Sequence, residues 1–229
     1  MLTAIIVAGG SSRRMGFDKT FALLAGRPII AHSLAAFAAT ESVHAIVVVG
    51  RADRLADLRE VVAQHSFGKV REVIAGGTHR QDSVNEGLLR VSTSAEFVAV
   101  HDAARPLVTS GEIERVFDAA RRHGAASLAA PVADTLKRAD DAGMVSGSVD
   151  RQGVYGMQTP QIFRRELLLE AYARVADERL SITDEVSAVE RLCREVVLVP
   201  NEDYNFKITY PADLRLAELV LSDRASTTR

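Results

Sequence analysis

A small-residue loop ending in cations follows the first apolar run of the chain. It reads from Ala8, Gly9 and Gly10 to Arg14 and Lys19. Glycines let backbone N–H groups come close to an anion, and cationic side chains then neutralise the charge that amides alone cannot. The loop therefore predicts a phosphate site, and the alternative is a mobile surface turn with solvated arginines.

Two familiar phosphate loops are excluded by single residues. A dinucleotide-binding fingerprint needs a glycine where this chain has Ser11. A Walker A loop needs a glycine before its lysine, where this chain has Asp18 before Lys19. If the loop binds phosphate, it therefore belongs to another class of phosphate-binding loop, and the surface-turn interpretation stays open.

The elements that position this loop follow from the hydrophobic pattern. Short apolar runs alternate with segments of helical period, which predicts βαβ units in an α/β fold: a Rossmann-like, mostly parallel twisted sheet flanked by helices. Near-continuous Val, Ile and Ala runs suit strands buried on both faces. The predicted strands are Thr3–Val7, Ala45–Val49, Val70–Ile74, Phe97–Val100, Ala126–Ala130 and Val196–Val199.

Helices are predicted between and after these strands. The spacing of Thr109 and Glu112 predicts a capping box at the start of one of them. Two more are expected at about Arg164–Ala176 and Asp184–Leu192, and Pro211 opens a last one, with a frayed polar tail beyond Ser222.

A change in the hydrophobic pattern in the second half of the sequence predicts a β-hairpin. The turn cluster Asp140–Gly143 separates Asp134–Arg138 from Val145–Val149. We expect a single domain over residues 1–229, with this arm protruding at about 134–157. An isolated hairpin is only marginally stable in water, so the arm needs a surface to pack on.

Composition limits the binding partners and the cellular compartment that we expect for this protein. The 229 residues carry a net charge of −2, so no broad basic face for nucleic acid is expected. The single cysteine, Cys193, excludes an intrachain disulfide, is compatible with a reducing cytosol, and is predicted as a small buried helix residue. The apolar opening Leu2–Ala8 is too short for a signal or membrane segment, so we expect a cytoplasmic protein without membrane contact.

Several motifs carry a resemblance to a known family. The loop with Ala8, Gly9, Gly10, Arg14 and Lys19 resembles that of sugar- and polyol-phosphate nucleotidyltransferases. Downstream segments, in order and at compatible spacing, resemble the 2-C-methyl-D-erythritol 4-phosphate cytidylyltransferases of the non-mevalonate isoprenoid pathway. These segments are His101–Pro106, Pro131–Arg138, Asp150–Arg151, Gln158–Gln161, Ile182–Glu185 and Asn205–Thr209. The likeness runs from Thr3 to about Leu221.

The resemblance implies a transfer between two polyanions. A phosphate oxygen of a polyol phosphate attacks the α-phosphorus of CTP, and pyrophosphate leaves. No strong base is required, because the phosphate monoester is already anionic, and catalysis reduces to alignment and charge stabilisation. Arg14 and Lys19 would then contact the triphosphate, and Lys207 would hold the attacking phosphate.

The resemblance also implies the binding residues. The acceptor pocket would contain Arg105, Thr135, Arg151 and Thr159, with the fork of Arg151 on the phosphate and Arg151 also counted as catalytic. Both threonines have a simpler interpretation, since threonine packs well in strands. The nucleotide would be bound by Ala8, Gly9, Gly10, Gly76, Gly77 and Ser83.

A metal and a second subunit complete the implied site. Asp102 follows a buried strand and would bind Mg²⁺ directly or through water, or else only stabilise a turn. The resemblance implies a homodimer in which the arm brings Thr135 to the neighbour's site, while the subunit that supplies Arg105 is left open.

Three other functions fit parts of the pattern. A cytidylyltransferase for another polyol phosphate, such as ribitol 5-phosphate, shares the loop and the His101–Pro106 segment. A nicotinamide-binding oxidoreductase would share the alternation of strands and helices and the glycine turn. Ser11 in place of a glycine and the cations Arg14 and Lys19 count against it. The cations also count against a catalytically silent nucleotide-binding module.

Overall fold

The computed structural model describes residues 1–10 and 15–227. Within them the strands are β1 (Leu2–Ala8), β2 (Leu23–Leu24), β3 (Arg27–Pro28), β4 (Val43–Gly50), β5 (Val70–Ala75), β6 (Phe97–Asp102), β7 (Ala125–Pro131), β8 (Leu136–Ala139), β9 (Val145–Val149), β10 (Tyr155–Arg164) and β11 (Val197–Pro200). The helices are α1 (Ile29–Ala39), α2 (Leu55–Gln64), α3 (Arg80–Leu88), α4 (Ser110–His123), α5 (Arg165–Asp177), α6 (Glu185–Glu190) and α7 (Pro211–Thr227). One short 3₁₀ turn, Ala52–Arg54, precedes α2.

The main sheet confirms the predicted α/β class. Its seven strands lie in the order β11-β7-β10-β6-β1-β4-β5. Strand β1 pairs in parallel with both β4 and β6, and β5 and β11 extend the parallel pairing at the two edges. Among the described strands of this seven-stranded sheet, β10 is the one that runs antiparallel to the others. The carboxyl ends of β1, β4, β5 and β6 therefore meet along one edge.

Two apolar layers bury the two faces of this sheet. Alternate residues of β1 divide between them, because successive side chains of a strand point to opposite faces. Ala4 and Ile6 pack in the layer covered by α1, α2 and α4, whereas Ile5 packs in the layer covered by α3, α5 and α6. Helices on both faces explain why the central strands read as continuous apolar runs.

Strand β10 was not predicted from the sequence. Its segment holds Gln158, Thr159, Pro160 and Gln161 where a β-branched run would be expected, and proline lacks the N–H that a central strand donates. The pairing of β10 with β7 is irregular between Met157 and Gln161, which accommodates this segment. The strand then continues through the buried Gln161, Ile162 and Phe163 and ends at the exposed Arg164.

The hairpin that the turn cluster predicts is present. Strands β8 and β9 pair antiparallel around Asp140, whose side chain accepts from the N–H groups of Ala142 and Met144. Most residues of the hairpin are exposed. The excursion is shorter than expected at its far end, because the chain has returned to the main sheet by Tyr155.

Two local predictions are wrong. Cys193 is an exposed turn residue with a φ of 53°, just beyond α6, and not a buried helix residue. The tail beyond Ser222 is helical to Thr227, because Arg224 fastens it by donating to the Leu107 carbonyl at 2.6 Å and to Asp203 at 2.9 Å. None of the described helices is long and apolar enough to cross a membrane.

A buried histidine ties β6 to β10. His101 accepts a hydrogen bond from the Thr159 hydroxyl at 2.9 Å and donates to the Arg105 carbonyl at 3.2 Å. This assignment follows from the Arg105 carbonyl, which can only accept, so that Nε2 carries the ring proton and Nδ1 accepts from Thr159. The ring is neutral, because burial lowers the pKa of His101 to about 3.

Helix α3 depends on a glycine at its contact with the sheet. A methyl group on Gly87 would lie 2.6 Å from a carbon of Ile5 and 3.0 Å from one of Val49. We expect Gly87→Ala to lower the free energy of unfolding by roughly 1–3 kcal/mol, because the core is overpacked. Gly111→Ala in α4, where the added carbon meets nothing within 4 Å, should be neutral or stabilising by up to about 1 kcal/mol. Urea unfolding of both variants tests this, and equal effects would contradict it.

The low pKa of His101 should make stability fall in acid. The unfolded chain binds a proton on this ring below about pH 6.5, whereas the folded chain does not until about pH 3. The free energy of unfolding should therefore decrease as the pH falls through that window, by up to about 1.4 kcal/mol per pH unit. His101→Gln should reduce this slope when urea unfolding is compared between about pH 6.5 and 4.5. An unchanged slope would show that His101 is not the group responsible.

Candidate active site

A crevice opens where the strand order reverses beside β1. Ligands in open α/β sheets bind at such points, outside the carboxyl ends of the strands. The crevice has a volume of about 330 Å³ and lies between the ends of β1 and β6 and the start of α3. Its lining includes predicted nucleotide-binding and catalytic residues: Ala8, Gly9, Gly10, Lys19, Gly77, Ser83, Asp102 and Lys207.

Close packing at a second glycine pair shapes one wall of the crevice. A methyl group on Gly76 would lie 2.4 Å from the Ser83 hydroxyl oxygen, and one on Gly77 would lie 2.3 Å from Asp82. Ser83 itself donates to the His79 carbonyl in the first turn of α3. The two glycines thus let the β5–α3 connection pass close to the helix. Gly77 lines the crevice, whereas Gly76 packs against Ser83.

Two lysines reach the crevice from distant parts of the sequence. Lys19 donates from Nζ to the Ile208 carbonyl at 2.8 Å. The N–H of Ile208 in turn donates to the Ala104 carbonyl, just past the end of β6. The segment that carries Lys207 is therefore held against both the glycine-rich loop and β6, so two ammonium groups face one space.

Asp102, the last residue of β6, lies among cations. Its Oδ1 accepts from Arg80 Nε at 2.9 Å and its Oδ2 accepts from Lys207 Nζ at 2.8 Å. Arg105 Nε lies 4.0 Å from Oδ2. Burial alone would raise the pKa of Asp102, but the positive charges of Arg80 and Lys207 outweigh burial and hold it well below its usual range.

Arg80 is a site residue that the sequence analysis missed. It begins α3 and joins Asp102 to Glu185, donating to the two Glu185 oxygens at 2.7 and 3.0 Å. Burial opposes its charge, but Glu185 and Asp102 raise the pKa of Arg80 above its usual value. The position of Arg80 at the start of α3 could have indicated a buried anion nearby, since a cation is unfavourable at a helix N-terminus unless an anion compensates it.

A second cavity adjoins the first on the side of β10. It has a volume of about 250 Å³ and shares Arg80, Asp102 and Lys207 with the first. Two predicted acceptor residues, Arg105 and Thr159, also line it. The shared residues therefore stand at the junction of two adjacent compartments.

Much of the bonding capacity of Arg105 and Thr159 is already used. Arg105 donates to the carbonyls of Asn205 and Met157 at 2.8 and 3.1 Å. The Thr159 hydroxyl is engaged by His101 and by the N–H of Asp102. Both residues therefore brace the cavity wall.

The remaining predicted residues lie elsewhere. Thr135 and Arg151 are exposed near the base of the hairpin, where Arg151 donates to the Ala133 carbonyl, and they line neither cavity. Arg14 lies outside the described residues. Among the described residues, the structure thus brings together most of those predicted for the nucleotide and separates two of those predicted for the acceptor.

The geometry suits chemistry between two anions. A first compartment is walled by glycine backbone and the start of a helix, a second is walled by polar side chains, and Lys207 borders both. Preorganised cations at such a junction stabilise negative charge that develops on a reacting phosphate. Ser83, His79 and Asp102 all line the first cavity, but their hydrogen bonds within the described part of the chain are not those of an acyl-transfer triad. Ser83 donates to the backbone carbonyl of His79, and Asp102 accepts from Arg80 and Lys207.

Comparisons with known proteins identify the family. The sequence model of the family described as 2-C-methyl-D-erythritol 4-phosphate cytidylyltransferase matches residues 2–223. A protein of that name from Dehalococcoides mccartyi is 39% identical over 219 residues, covering 95% of each chain. Another, from Solibacter usitatus, is 40% identical and covers 98% of this chain and 97% of its own.

Solved structures agree with the sequence comparison. The 4-diphosphocytidyl-2C-methyl-D-erythritol synthase of Anaerococcus prevotii superposes with a TM-score of 0.84 at 29% identity, covering 96% of each chain. The 2-C-methyl-D-erythritol 4-phosphate cytidylyltransferase of Thermus thermophilus superposes with a TM-score of 0.78 at 32% identity, covering 95% of this chain and 98% of its own. The protein belongs to the family of 2-C-methyl-D-erythritol 4-phosphate cytidylyltransferases.

Proposed function

We propose that the protein transfers the cytidylyl group of CTP to 2-C-methyl-D-erythritol 4-phosphate, giving 4-diphosphocytidyl-2-C-methyl-D-erythritol and pyrophosphate for isoprenoid synthesis. The observation that carries the proposal, beside membership of the family, is the junction of two compartments at Lys207 and Asp102. The glycine-walled compartment takes the nucleotide, and the one beside β10 takes the polyol phosphate.

The reaction needs alignment and charge neutralisation. An oxygen of the substrate phosphate forms a bond to the α-phosphorus of CTP as the bond from that phosphorus to the bridging oxygen breaks, and pyrophosphate leaves with the electron pair. Lys19 and Arg14 bind the triphosphate, and Lys207 holds the attacking phosphate. No side chain has to remove a proton, because a phosphate monoester is already anionic at neutral pH.

Backbone groups bind the rest of the nucleotide. Ala8, Gly9 and Gly10 approach the phosphates, because small residues leave their N–H groups accessible. Gly76, Gly77 and Ser83 form the wall that meets the base and ribose. This wall is tightly packed, because a methyl group added to Gly76 would collide with Ser83. We propose that it presents a fixed edge to a pyrimidine.

The donor set fits a magnesium ion that arrives with the triphosphate. Among the described residues, no group of three or more acidic, histidine or cysteine side chains is arranged to hold a metal. Mg²⁺ is commonly bound by one or two carboxylates together with substrate phosphates and water, and Asp102 is the carboxylate that borders both compartments. When bound, the ion neutralises charge on the phosphate oxygens.

We propose a homodimer for this enzyme, formed through the arm. Thr135 and Arg151 lie away from the cavities of their own chain, and the tip of the hairpin carries Met144 and Val145, which are 67% and 68% exposed. Apolar side chains on an exposed hairpin favour packing on another surface. The arm then carries Thr135 and Arg151 to the acceptor compartment of the partner subunit. We also propose the cytoplasm as its compartment, which the single cysteine supports.

Pyrophosphate release tests the substrate pair. Four nucleoside triphosphates are each combined with 2-C-methyl-D-erythritol 4-phosphate and with ribitol 5-phosphate in the presence of Mg²⁺. We expect turnover above background with CTP and the methylerythritol phosphate, because both compartments must be filled by their own anion. A preference for GTP or for ribitol 5-phosphate would assign the protein to another nucleotidyltransferase activity, and a nicotinamide-dependent absorbance change would favour an oxidoreductase.

Mixing two inactive variants tests the shared site. Lys19→Ala should lower kcat roughly 10²–10³-fold, as loss of a preorganised charge does. Thr135→Ala should also lose activity with the acceptor. When subunits exchange, some heterodimer sites regain both residues, so the mixture should become more active than either parent.

A control on the same arm isolates the contribution of Thr135. Lys137 donates to Ser148 within the hairpin, and Lys137→Ala should leave both activity and mixing behaviour unchanged. Activity that stays flat after proven subunit exchange, or full activity of a monomer in sedimentation, would refute the composite site.

A further inference from the structure

A fully buried carboxylate stands behind the cationic junction. Glu185 has no exposed surface and accepts two hydrogen bonds from the guanidinium of Arg80, one on each oxygen. It belongs to the segment Ile182–Glu185, which the function proposed above leaves without a role. A planar fork bound to both carboxylate oxygens has a fixed direction as well as a strong attraction.

The position of Glu185 is fixed from several sides. Its Oε1 also accepts from the Tyr172 hydroxyl at 3.0 Å, and its backbone N–H donates to Gln161 at 3.1 Å. Asp184 caps the start of α6 by accepting from the N–H of Ser187. The carboxylate is therefore an immobile anchor, supplied by α6 and buttressed by α5 and β10.

The Glu185 carboxylate determines where the third guanidinium nitrogen of Arg80, Nε, points. With its two terminal nitrogens on Glu185, Arg80 offers Nε to Asp102 Oδ1, which leaves Oδ2 to Lys207. Arg80, Asp102 and Lys207 are also the residues common to both compartments. Glu185 further compensates a cation that lies unfavourably at the N-terminus of α3.

We propose that Glu185 is a positioning residue for the transfer reaction, acting through Arg80 to fix Asp102 and hence Lys207 at the junction of the two compartments. Without the carboxylate, Arg80 keeps its charge but loses its direction. It is then free to turn towards Asp102 or an incoming phosphate, which disturbs the position of Lys207. The inference rests on the proposed function of this junction.

The test compares the same substitution at two buried glutamates. Glu185→Gln keeps size and shape but removes the charge that holds Arg80. Glu112→Gln is the matched control, since Glu112 is also buried but, within the described part of the chain, its side chain accepts only from Thr109 at the start of α4 and lines neither cavity. For each variant, kcat, the KM for CTP, the KM for the polyol phosphate and the Tm are measured.

The expected result separates positioning from folding. Glu185→Gln should lower kcat on the order of tenfold to a hundredfold, because small misplacement of reacting groups is costly. The KM for CTP should change by a smaller factor than kcat, since the glycine-rich wall is untouched and only Arg80, Asp102 and Lys207 are affected in that compartment. Glu112→Gln should lower the Tm and leave kcat unchanged. A Glu185→Gln enzyme with the kcat of the wild type would overturn the proposal.

A double-mutant cycle with Arg80→Gln tests the route of the effect. If Glu185 acts through Arg80, the double variant should be no slower than Arg80→Gln alone, whereas effects that multiply would refute that route. If Glu185→Gln alone fails to fold, Glu185→Asp replaces it, because the shorter side chain keeps the charge but moves the carboxylate away from Arg80. A reduced kcat of this variant then supports the proposal, and the kcat of the wild type overturns it. A wild-type enzyme inactive on the two substrates would refute the proposed function instead.

Discussion

The site depends on one electrostatic constraint, the burial of the Asp102 carboxylate at the end of β6. A buried anion must be compensated, and here compensation comes from Arg80 and Lys207, with Arg105 close by. Those cations come from α3, from the loop after β6 and from the segment before α7. One carboxylate therefore gathers positive groups from three regions of the chain. In return, it partly neutralises their charge.

Sheet topology explains why these regions meet. The parallel pairing of β1 with both β4 and β6 brings the glycine-rich loop and Asp102 to the same edge. The antiparallel strand β10 adds Thr159 from the opposite direction and fastens β6 through His101. One wall of the second compartment is thus formed by the described strand of the main sheet that departs from its parallel pattern.

The fold class and the nucleotide side were predictable because they rest on local sequence signals. Continuous Val, Ile and Ala runs predicted the central strands, and the glycine-rich loop predicted the crevice containing Lys19. By contrast, β10 carries polar residues and Pro160, which mask a central strand. Arg80 and Glu185 are separated by 105 positions, and no local pattern reports that two such charges meet. The location of the site at the strand ends could therefore be predicted from the sequence, whereas the contacts inside it required the three-dimensional structure.

The contact between Lys19 and Ile208 has a consequence for the order in which the protein can become active. The two residues lie 189 positions apart, so the glycine-rich loop is completed only by a segment that is synthesised much later. During synthesis the strands around β1 can pair early, but Lys207 and the Ile208 carbonyl that binds Lys19 follow long afterwards. A ribosome-bound chain that stops before Lys207 would hold most of the sheet and only half of the proposed phosphate site. In the proposed function, nucleotide processing thus begins only after the segment with Lys207 has emerged.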